Sequence, residues 1–418
     1  MPSLDNVILQ KKEGDNFDII TFLIVLGLCG IGLASIYSAT YQSQMHSFFY
    51  KQIATTGIGF AGMFIFAFIP KRILKSLTWV VYGVSILFLI LVLYIGISSY
   101  GTRGWLPLFG FTLQPAELAK MGVIMIIALH LSGKSTTAAN LRDLAISVVL
   151  LLLPAILIFL QPDHGTITVV FAIGLGMLFW AGLDGFFVFF VITLPVIIVT
   201  ALKGSVYFYI ALTLASFFSF LFRKKIVMTL AGIAVFFAVG FAAPAIYNNM
   251  MPHQKARIDT FLNPGNDPRG SGYNVIQSIM AVGSGGVTGK GYLQGTQTQL
   301  KYIPMQWTDF IFSVPTEEFG FIGGSLVIIL FAALVYRIVR IANRVNDKFY
   351  SLLAIGTAAL FIYHGVINIG MAMGLMPVMG IPLPLMSYGG TSMVVNLSLI
   401  GLVINAFRQY SRESTSYS

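Results

Sequence analysis

The chain has 418 residues, of which 57% are hydrophobic and only 10% are charged. This composition excludes an ordinary soluble domain and is typical of an integral membrane protein. The net charge of +10 does not indicate a nucleic-acid partner, because the basic residues gather in short loops between apolar runs. The single cysteine, Cys29, excludes a disulfide within the chain.

Twelve apolar runs are long enough to cross a bilayer, which takes about 20 residues of helix. We therefore predict an all-α, polytopic transmembrane helix bundle that forms a single integral membrane domain over residues 1–418. The division of residues 165–247 into spans stays open. The predicted spans are 17–38, 50–69, 76–98, 114–132, 144–161, 165–182, 185–203, 205–222, 226–247, 310–336, 350–374 and 391–407.

The basic residues predict the orientation of these spans. Sixteen of the 25 Lys and Arg residues lie in the two tails and in the alternate loops on the same side. Cytoplasmic loops carry such an excess, so residues 1–16 and 409–418 are predicted to be cytoplasmic tails. The first apolar run has spanning length after a polar start, and we predict no cleavable signal peptide.

Residues 101–120 read as an outer loop that enters a helix. Glu117 and Lys120 are three residues apart and so share one face of that helix. Ionisable groups within a span are costly, and they pair or line a watery cavity. Two interpretations stay open here, an ion pair that fixes helix packing and the wall of a polar substrate cavity.

A very short connection, Gln161-Pro162-Asp163-His164, joins two spans. Asp163 either caps the following helix by accepting its free N–H groups or contacts substrate directly. His164 is predicted to pack at the interface, because no second His or Cys stands at a metal-binding spacing.

The longest interruption between apolar runs is residues 248–308, predicted to be a large extracytoplasmic loop. Its many aromatic and aliphatic residues indicate a folded cap on the bundle and not a solvated linker. Asp267 lies in the turn sequence NDPRGSGY, eight residues after Asp259. Asp267 is either an Asx-turn residue or a general base for an anionic partner, with Asp259 as its competitor.

Two further segments are unusual for a membrane bundle. Asp309, Glu317 and Glu318 lie close together at the start of an apolar run, as a hydrogen-bond network or as catalytic groups. Residues 374–392, which include Ser387, form an uncharged outer loop broken by proline and glycine. We interpret this loop as a re-entrant or lid-like segment that shapes an apolar groove.

Taken together, these motifs resemble the SEDS family (shape, elongation, division and sporulation proteins). The GTQTQL sequence favours the elongation branch of that family over the division branch. The matching motifs are QPAELAK at 114–120, QPD at 161–163, DPRGSGY at 267–273, GKGYLQGTQTQLKYIP at 289–304, TDFIF at 308–312, EEFG at 317–320 and PLPLMSYGGTS at 382–392.

The resemblance implies a peptidoglycan glycosyltransferase of the bacterial cytoplasmic (inner) membrane that polymerises lipid II for cell elongation and rod shape. Asp267 matches the family's catalytic aspartate, and Glu117 with Lys120 matches its intramembrane ion pair. The implied partners are a class B penicillin-binding protein and the rod-complex membrane proteins MreC and MreD. Ten spans are usual in the family, so the twelve predicted here include a two-span insertion near 204–247.

Two residues depart from the family pattern, His164 in place of Leu and Trp307 in place of His. The second departure argues against a catalytic role for position 307. Two rival functions stay open, a lipid II flippase and a non-catalytic scaffold for the penicillin-binding protein.

In the mechanism we expect, Asp267 takes the proton of an acceptor hydroxyl while a lipid diphosphate leaves, and cations neutralise that diphosphate. A divalent cation such as Mg²⁺ or Mn²⁺ is left open as a cofactor, and the sequence contains no metal-binding motif. The expected substrate-binding residues are Arg103, Glu117, Lys120, Asp163, Arg257, Arg269, Lys290 and Lys301, and the expected cavity residues are Asp309, Glu317, Glu318 and Ser387.

Overall fold

The computed structural model describes residues 17–42, 46–99, 102–108, 111–222, 225–268, 270 and 272–416. Within these residues, long helices form a bundle, the short helices α10 to α12 form the cap, and the short α13 leads from the cap into α14. In chain order the helices are α1 (Ile19–Thr40), α2 (His46–Phe68), α3 (Lys71–Ile95), α4 (Pro115–Leu131), α5 (Leu141–Phe159), α6 (His164–Trp180), α7 (Gly185–Lys203), α8 (Ser205–Leu221), α9 (Ile226–Asn248), α10 (Pro252–Leu262), α11 (Tyr273–Ser284), α12 (Thr296–Gln299), α13 (Ser313–Glu318), α14 (Gly320–Arg344), α15 (Lys348–Ala372) and α16 (Gly390–Ser416).

The predicted fold class, a polytopic helical membrane bundle, is confirmed. Among the described residues, nine helices are long and apolar enough to cross a membrane, and α4, α6 and α8 are shorter at 17 residues each. These twelve helices fall on the twelve predicted spans. The predicted tail 1–16 lies outside the described residues, whereas α16 continues to Ser416 through most of the predicted tail 409–418.

The predicted span 310–336 is wrong at its start, because the run contains two helices. The short α13 ends at Glu318, and α14 begins at Gly320, whose φ of +64° breaks the helical path. A Cβ at this glycine would lie 2.4 Å from the backbone nitrogen of Gly289. The break therefore depends on close packing of the cap against this position, which only glycine permits.

The central helix of the bundle is α15. It packs against α4, α6, α14 and α16. Of the residues in its apolar stretch, 72% are buried, compared with 11% for α7. A Cβ at Gly356 of α15 would lie 2.8 Å from both Ile124 of α4 and Met177 of α6. A glycine at this point therefore lets three helices approach closely, as small residues do in membrane bundles.

Helices α7, α8 and α9 form a group with its own apolar cluster, which includes Ile197, Phe208 and Phe236. The rings of Phe190 and Phe236 stack with their centroids 4.9 Å apart. An open apolar cleft of about 400 Å³ lies between α7 and α8. The residues of the predicted two-span insertion form α8 and α9 of this group, and the insertion itself stays a prediction.

A small antiparallel sheet precedes α4, where we predicted an outer loop. It places the segment before Gln114 beside the start of α16, since the Gln114 N–H donates to Thr391 Oγ1 at 3.1 Å. Pro115 then occupies the first turn of α4, where its missing N–H costs nothing. The strands are β1 (Ile97–Ser99), β2 (Thr102–Leu108) and β3 (Phe111–Leu113), in the order β1-β2-β3.

The basic loops that the structure describes lie at the end of the bundle opposite the cap, as the alternation of helices requires. Two ion pairs join helices there, Arg337 with Asp18 at 2.6 Å and Lys71 with Asp347. Part of the predicted positive charge at this end therefore also links neighbouring helices.

Candidate active site

The cap is anchored on the central helix of the bundle. In α11, Val275 and Ala281 are buried, and Ser278 Oγ donates a hydrogen bond to the carbonyl oxygen of Ala372 at 2.8 Å. Ala372 is the last residue of α15. The helix that follows the candidate catalytic turn is thus fixed to the most buried part of the protein.

Asp267 lies directly after a 3₁₀ turn over residues 264–266, and its side chain is exposed. Its carboxylate Oδ1 accepts the Gly270 N–H at 3.0 Å, and its carbonyl oxygen accepts the Gly272 N–H at 3.1 Å. A Cβ at Gly270 would lie 2.2 Å from Asp267 Oδ2, and one at Gly272 would lie 2.2 Å from the Pro264 carbonyl oxygen. The turn interpretation is confirmed, and the exposed carboxylate leaves the catalytic role as a prediction.

The competing acid, Asp259, is half-buried in α10 and accepts a hydrogen bond from the Tyr247 hydroxyl of α9. Lys255 donates to the carbonyl oxygen of Asn248 at 2.9 Å. These contacts tie α10 to the end of α9, and they give Asp259 a structural partner that accounts for its position.

Only some of the predicted cations have side chains that the structure describes. Arg269 lies outside the described residues, and so do the side chains of Arg103 and Arg257. Lys301 is exposed with a φ of +58°. Lys290 donates to Glu317 at 2.7 Å, so a carboxylate of the protein already neutralises it.

Glu317 is fully buried and holds the loop that precedes and includes α12. It accepts the backbone N–H groups of Gln297 and Thr298 at 2.8 and 2.9 Å, the Thr298 hydroxyl at 2.8 Å and the Lys290 ammonium. Burial by itself would raise the pKa of Glu317, but these hydrogen bonds outweigh it and lower the pKa below its ordinary value. Of the two predicted interpretations, the structure shows the hydrogen-bond network.

Glu318 extends this network to the first helix. Its carboxylate accepts from the Ser38 hydroxyl of α1 and from the Leu293 N–H at 3.2 Å. Gln299 donates to Ser38 Oγ at 2.9 Å. Ser38 and Gln299 were not predicted as site residues. Gln299 lies within the GTQTQL motif, but the partners of both residues are distant along the chain.

The predicted pair of Glu117 and Lys120 is present in α4, with 2.8 Å between Lys120 Nζ and Glu117 Oε1. Both side chains are buried. Sequence reasoning missed a third member, His364 of α15, whose Nε2 lies 3.3 Å from Lys120 Nζ. Its Nδ1 lies 2.8 Å from the carbonyl oxygen of Pro382. A histidine inside an apolar span was the available signal.

Asp163 is the N-cap of α6, which confirms the capping interpretation. Its carboxylate accepts the Thr166 N–H at 3.0 Å and the Thr166 hydroxyl at 2.8 Å. The Gln114 amide donates to it at 3.3 Å, so the cap also touches the start of α4. The His164 ring packs against Phe159 with centroids 5.8 Å apart, as predicted for an interfacial residue.

The segment between α15 and α16, here called the 374–389 loop, turns back into the protein, and much of it is buried. Ser387 Oγ donates to the Thr308 carbonyl oxygen at 2.6 Å. Asn368 of α15 donates to the carbonyl oxygens of Asp309 and Ile381 at 2.9 and 2.8 Å. Burial raises the pKa of the Asp309 carboxyl to about 6, against a hydrogen bond from Thr308 that lowers it.

A crevice of about 10 Å³ lies between the cap and the 374–389 loop. Such a volume accommodates about one water molecule. Among the described residues, no three His, Cys, Asp or Glu side chains gather where they could hold a metal ion. The crevice is lined by Thr260, Phe261, Pro264, Val275, Gly374, Met376, Pro377 and Val378.

Residues 16–211 and 186–412 match the family model of the FtsW, RodA and SpoVE proteins, described as cell cycle proteins. The chain belongs to this family. The resemblance read from the motifs is thereby confirmed. The two matched ranges overlap within α7 and α8, close to the predicted insertion.

Several members of this family are similar to the chain over nearly its whole length. Peptidoglycan glycosyltransferase RodA of Treponema pallidum (strain Nichols) is 33% identical, over 95% of this chain and 99% of the relative. Peptidoglycan glycosyltransferase MrdB of Escherichia coli (strain K12) is 32% identical, over 92% and 91%. Stage V sporulation protein E of Bacillus subtilis (strain 168) is 33% identical, over 94% and 98%.

Solved structures of FtsW/RodA/SpoVE relatives share the fold. A chain of a peptidoglycan synthase complex, solved in a study of how polymerization and crosslinking are coordinated, has a TM-score of 0.71 and 29% identity, over 94% of this chain and 98% of that chain. RodA of Thermus thermophilus has a TM-score of 0.61 and 26% identity, over 94% and 97%.

Proposed function

We propose that this chain polymerises lipid II into glycan strands for cell elongation, with Asp267 as the general base. Relatives named peptidoglycan glycosyltransferase are similar to it over more than nine-tenths of its length, and this chain is a peptidoglycan glycosyltransferase. The observation that carries the residue assignment is the exposed Asp267 carboxylate, set in a glycine turn on an anchored cap.

In the proposed reaction, the Asp267 carboxylate accepts the proton of the acceptor sugar's 4-hydroxyl. The hydroxyl oxygen attacks the anomeric carbon of the donor sugar, and the bond to undecaprenyl diphosphate breaks. Direct displacement of an α-linked diphosphate inverts the anomeric centre and gives a β linkage, without a covalent enzyme intermediate. General-base catalysis contributes roughly 10²- to 10⁴-fold to such a step.

The departing diphosphate carries its own negative charge and needs cations more than an acid. The exposed Lys301 supports this role, and Arg103, Arg257 and Arg269 are proposed for it from the sequence. Comparing EDTA-treated protein with and without added Mg²⁺ or Mn²⁺ measures whether a divalent cation also takes part.

The test uses purified protein, lipid II and separation of glycan chains on a gel. Asp267→Asn should lower polymer formation by about 100-fold or more, while Asp259→Asn, the matched control, keeps most of it. Unchanged polymerisation by Asp267→Asn would refute the assignment. Movement of labelled lipid II without polymer would favour a flippase, and growth supported by Asp267→Asn would favour a scaffold.

We also propose that the chain lies in the bacterial cytoplasmic membrane with both termini in the cytoplasm. The basic loops at the end opposite the cap support this orientation. A cysteine at position 271 in a Cys29→Ala background should react with an impermeant reagent from outside only; labelling only from the cytoplasm would invert the topology.

A class B penicillin-binding protein is the proposed partner, since a similar chain comes from a peptidoglycan synthase complex. MreC and MreD are proposed from the sequence resemblance. Co-purification of each candidate with the tagged chain tests the two proposals separately.

A further inference from the structure

A chain of polar contacts runs through the most buried part of the bundle and ends at the 374–389 loop. Glu117 Oε1 lies 2.8 Å from Lys120 Nζ, which lies 3.3 Å from His364 Nε2. His364 Nδ1 lies 2.8 Å from the carbonyl oxygen of Pro382. As whole residues, Glu117, Lys120 and His364 are each no more than 2% exposed. The reaction described above makes no use of His364.

The partners of the His364 ring determine where its proton lies. The Pro382 carbonyl oxygen can only accept, so Nδ1 carries the hydrogen and donates it. The Lys120 ammonium can only donate, so Nε2 is the unprotonated nitrogen that accepts. A doubly protonated ring would direct a donor at the ammonium from 3.3 Å away and add a second positive charge. The neutral ring with hydrogen on Nδ1 satisfies both contacts.

This arrangement fixes the direction of the Lys120 ammonium. Its contacts with Glu117 and His364 use two of its three hydrogens among the described residues. The second carboxylate oxygen of Glu117, Oε2, is buried and has no hydrogen-bond partner within the residues that the structure describes. The ion pair therefore has one Lys120 hydrogen and the Glu117 Oε2 oxygen without partners among the described residues. The directions in which they point depend on the contact that His364 makes with Lys120.

We propose that His364 is a positioning residue, which orients Lys120 against Glu117 and ties this ion pair to the 374–389 loop through Pro382. The inference rests on the proposed glycosyltransferase reaction, and His364 contributes to it through Lys120, without touching substrate. To make both contacts, a side chain at position 364 must donate a hydrogen bond to the Pro382 carbonyl oxygen and accept one from Lys120.

Three substitutions separate the two contacts. In His364→Gln, the amide provides both a donor and an acceptor and reaches as far as Nε2. In His364→Asn, the shorter amide reaches Pro382 but stops short of Lys120. In His364→Leu, both contacts are lost. The matched control is His130→Leu, which removes a half-buried histidine of α4. His130 Nε2 lies 3.2 Å from the Asp143 carbonyl oxygen, and the residue takes no part in the polar contacts from Glu117 to Pro382.

The first measurement is the steady-state rate of lipid II polymerisation by the purified full chain. Hydrogen bonds to charged groups are strong enough that kcat should fall about 10-fold or more in His364→Leu and His364→Asn. His364→Gln and His130→Leu should stay within about threefold of wild type, and KM should change little throughout. Wild-type kcat in His364→Leu, or equal loss in His364→Gln and His364→Leu, would overturn the inference.

The second measurement tests the contact between His364 and Pro382 and does not depend on enzymatic activity. In a Cys29→Ser background, the buried Met386 of the 374–389 loop is changed to cysteine. Maleimide labelling should rise at least about fivefold in His364→Leu and stay at the wild-type level in His364→Asn, which keeps the Pro382 contact. If the wild-type chain makes no polymer, the proposed function fails. The labelling test then decides the inference by itself, and it would be overturned if His364→Leu were labelled no more than wild type.

Discussion

Replacing Glu317 by alanine should release the 290–299 segment of the cap from the bundle. The carboxylate is fully buried and bonded to Lys290, to two backbone N–H groups and to the Thr298 hydroxyl. Removing one partner of a buried ion pair costs about 3–5 kcal/mol. Each buried donor left unpaired adds about 1–3 kcal/mol. Relaxation and entering water return part of this sum, so we expect a net loss of at least about 3 kcal/mol.

Native-state proteolysis measures this loss directly. Each 1.4 kcal/mol is about tenfold in an equilibrium constant, so a loss of about 3 kcal/mol increases the open population more than 100-fold. Trypsin cleavage after Lys290, in detergent-solubilised protein, should accelerate by the same factor while opening and closing remain fast.

A matched control removes an acid at the other end of the bundle. Asp184 caps α7 by accepting the Phe186 N–H at 2.9 Å, and Asp184→Ala should cost about 1 kcal/mol locally. Cleavage after Lys290 should be unchanged in this control. Equal cleavage rates in Glu317→Ala and wild type would refute the reasoning, because the carboxylate would then not hold the cap.

Three further predictions concern the candidate site. Gly270→Ala places a methyl group 2.2 Å from Asp267 Oδ2, so polymerisation should fall at least about tenfold; normal rates on a glycan gel would contradict this. The variant in which Glu117 and Lys120 are exchanged should have the thermal stability of wild type but not its polymerisation activity. Wild-type activity in this variant would reduce the pair to a packing role. Burial raises the pKa of Asp309 from 3.8 to about 6, so its contribution to stability is lost as pH rises through that window. Asp309→Asn should abolish this decline in unfolding temperature.

The spans, the cap and the Asp163 helix cap could be predicted, because each depends on signals within a few consecutive residues. A run of about 20 apolar residues forms a membrane helix whatever lies elsewhere. An aspartate just before such a run satisfies the free N–H groups of its first turn. These features need no knowledge of distant parts of the chain.

The rest of the site depends on contacts between distant residues. Lys290 looked like a cation for the substrate, but its partner Glu317 lies 27 residues away and becomes a neighbour only in the folded cap. The break at Gly320 follows from backbone packing against Gly289, which no local pattern reports. The β-sheet was missed because its three strands are short and turn within a segment that reads as a loop.

Three polar side chains within the spans share one function in this fold. Apolar packing alone specifies helix positions weakly in a bilayer, because lipid tails are as apolar as the helices. Non-helical backbone at membrane depth also needs partners for its N–H and C=O groups. Ser38 contacts Glu318 beside the cap, and His364 and Asn368 contact the 374–389 loop. Each of these three side chains thus fixes an irregular segment to a regular helix. A polar residue in a span is therefore first a candidate anchor for an irregular segment, and its partner indicates which segment surrounds the site.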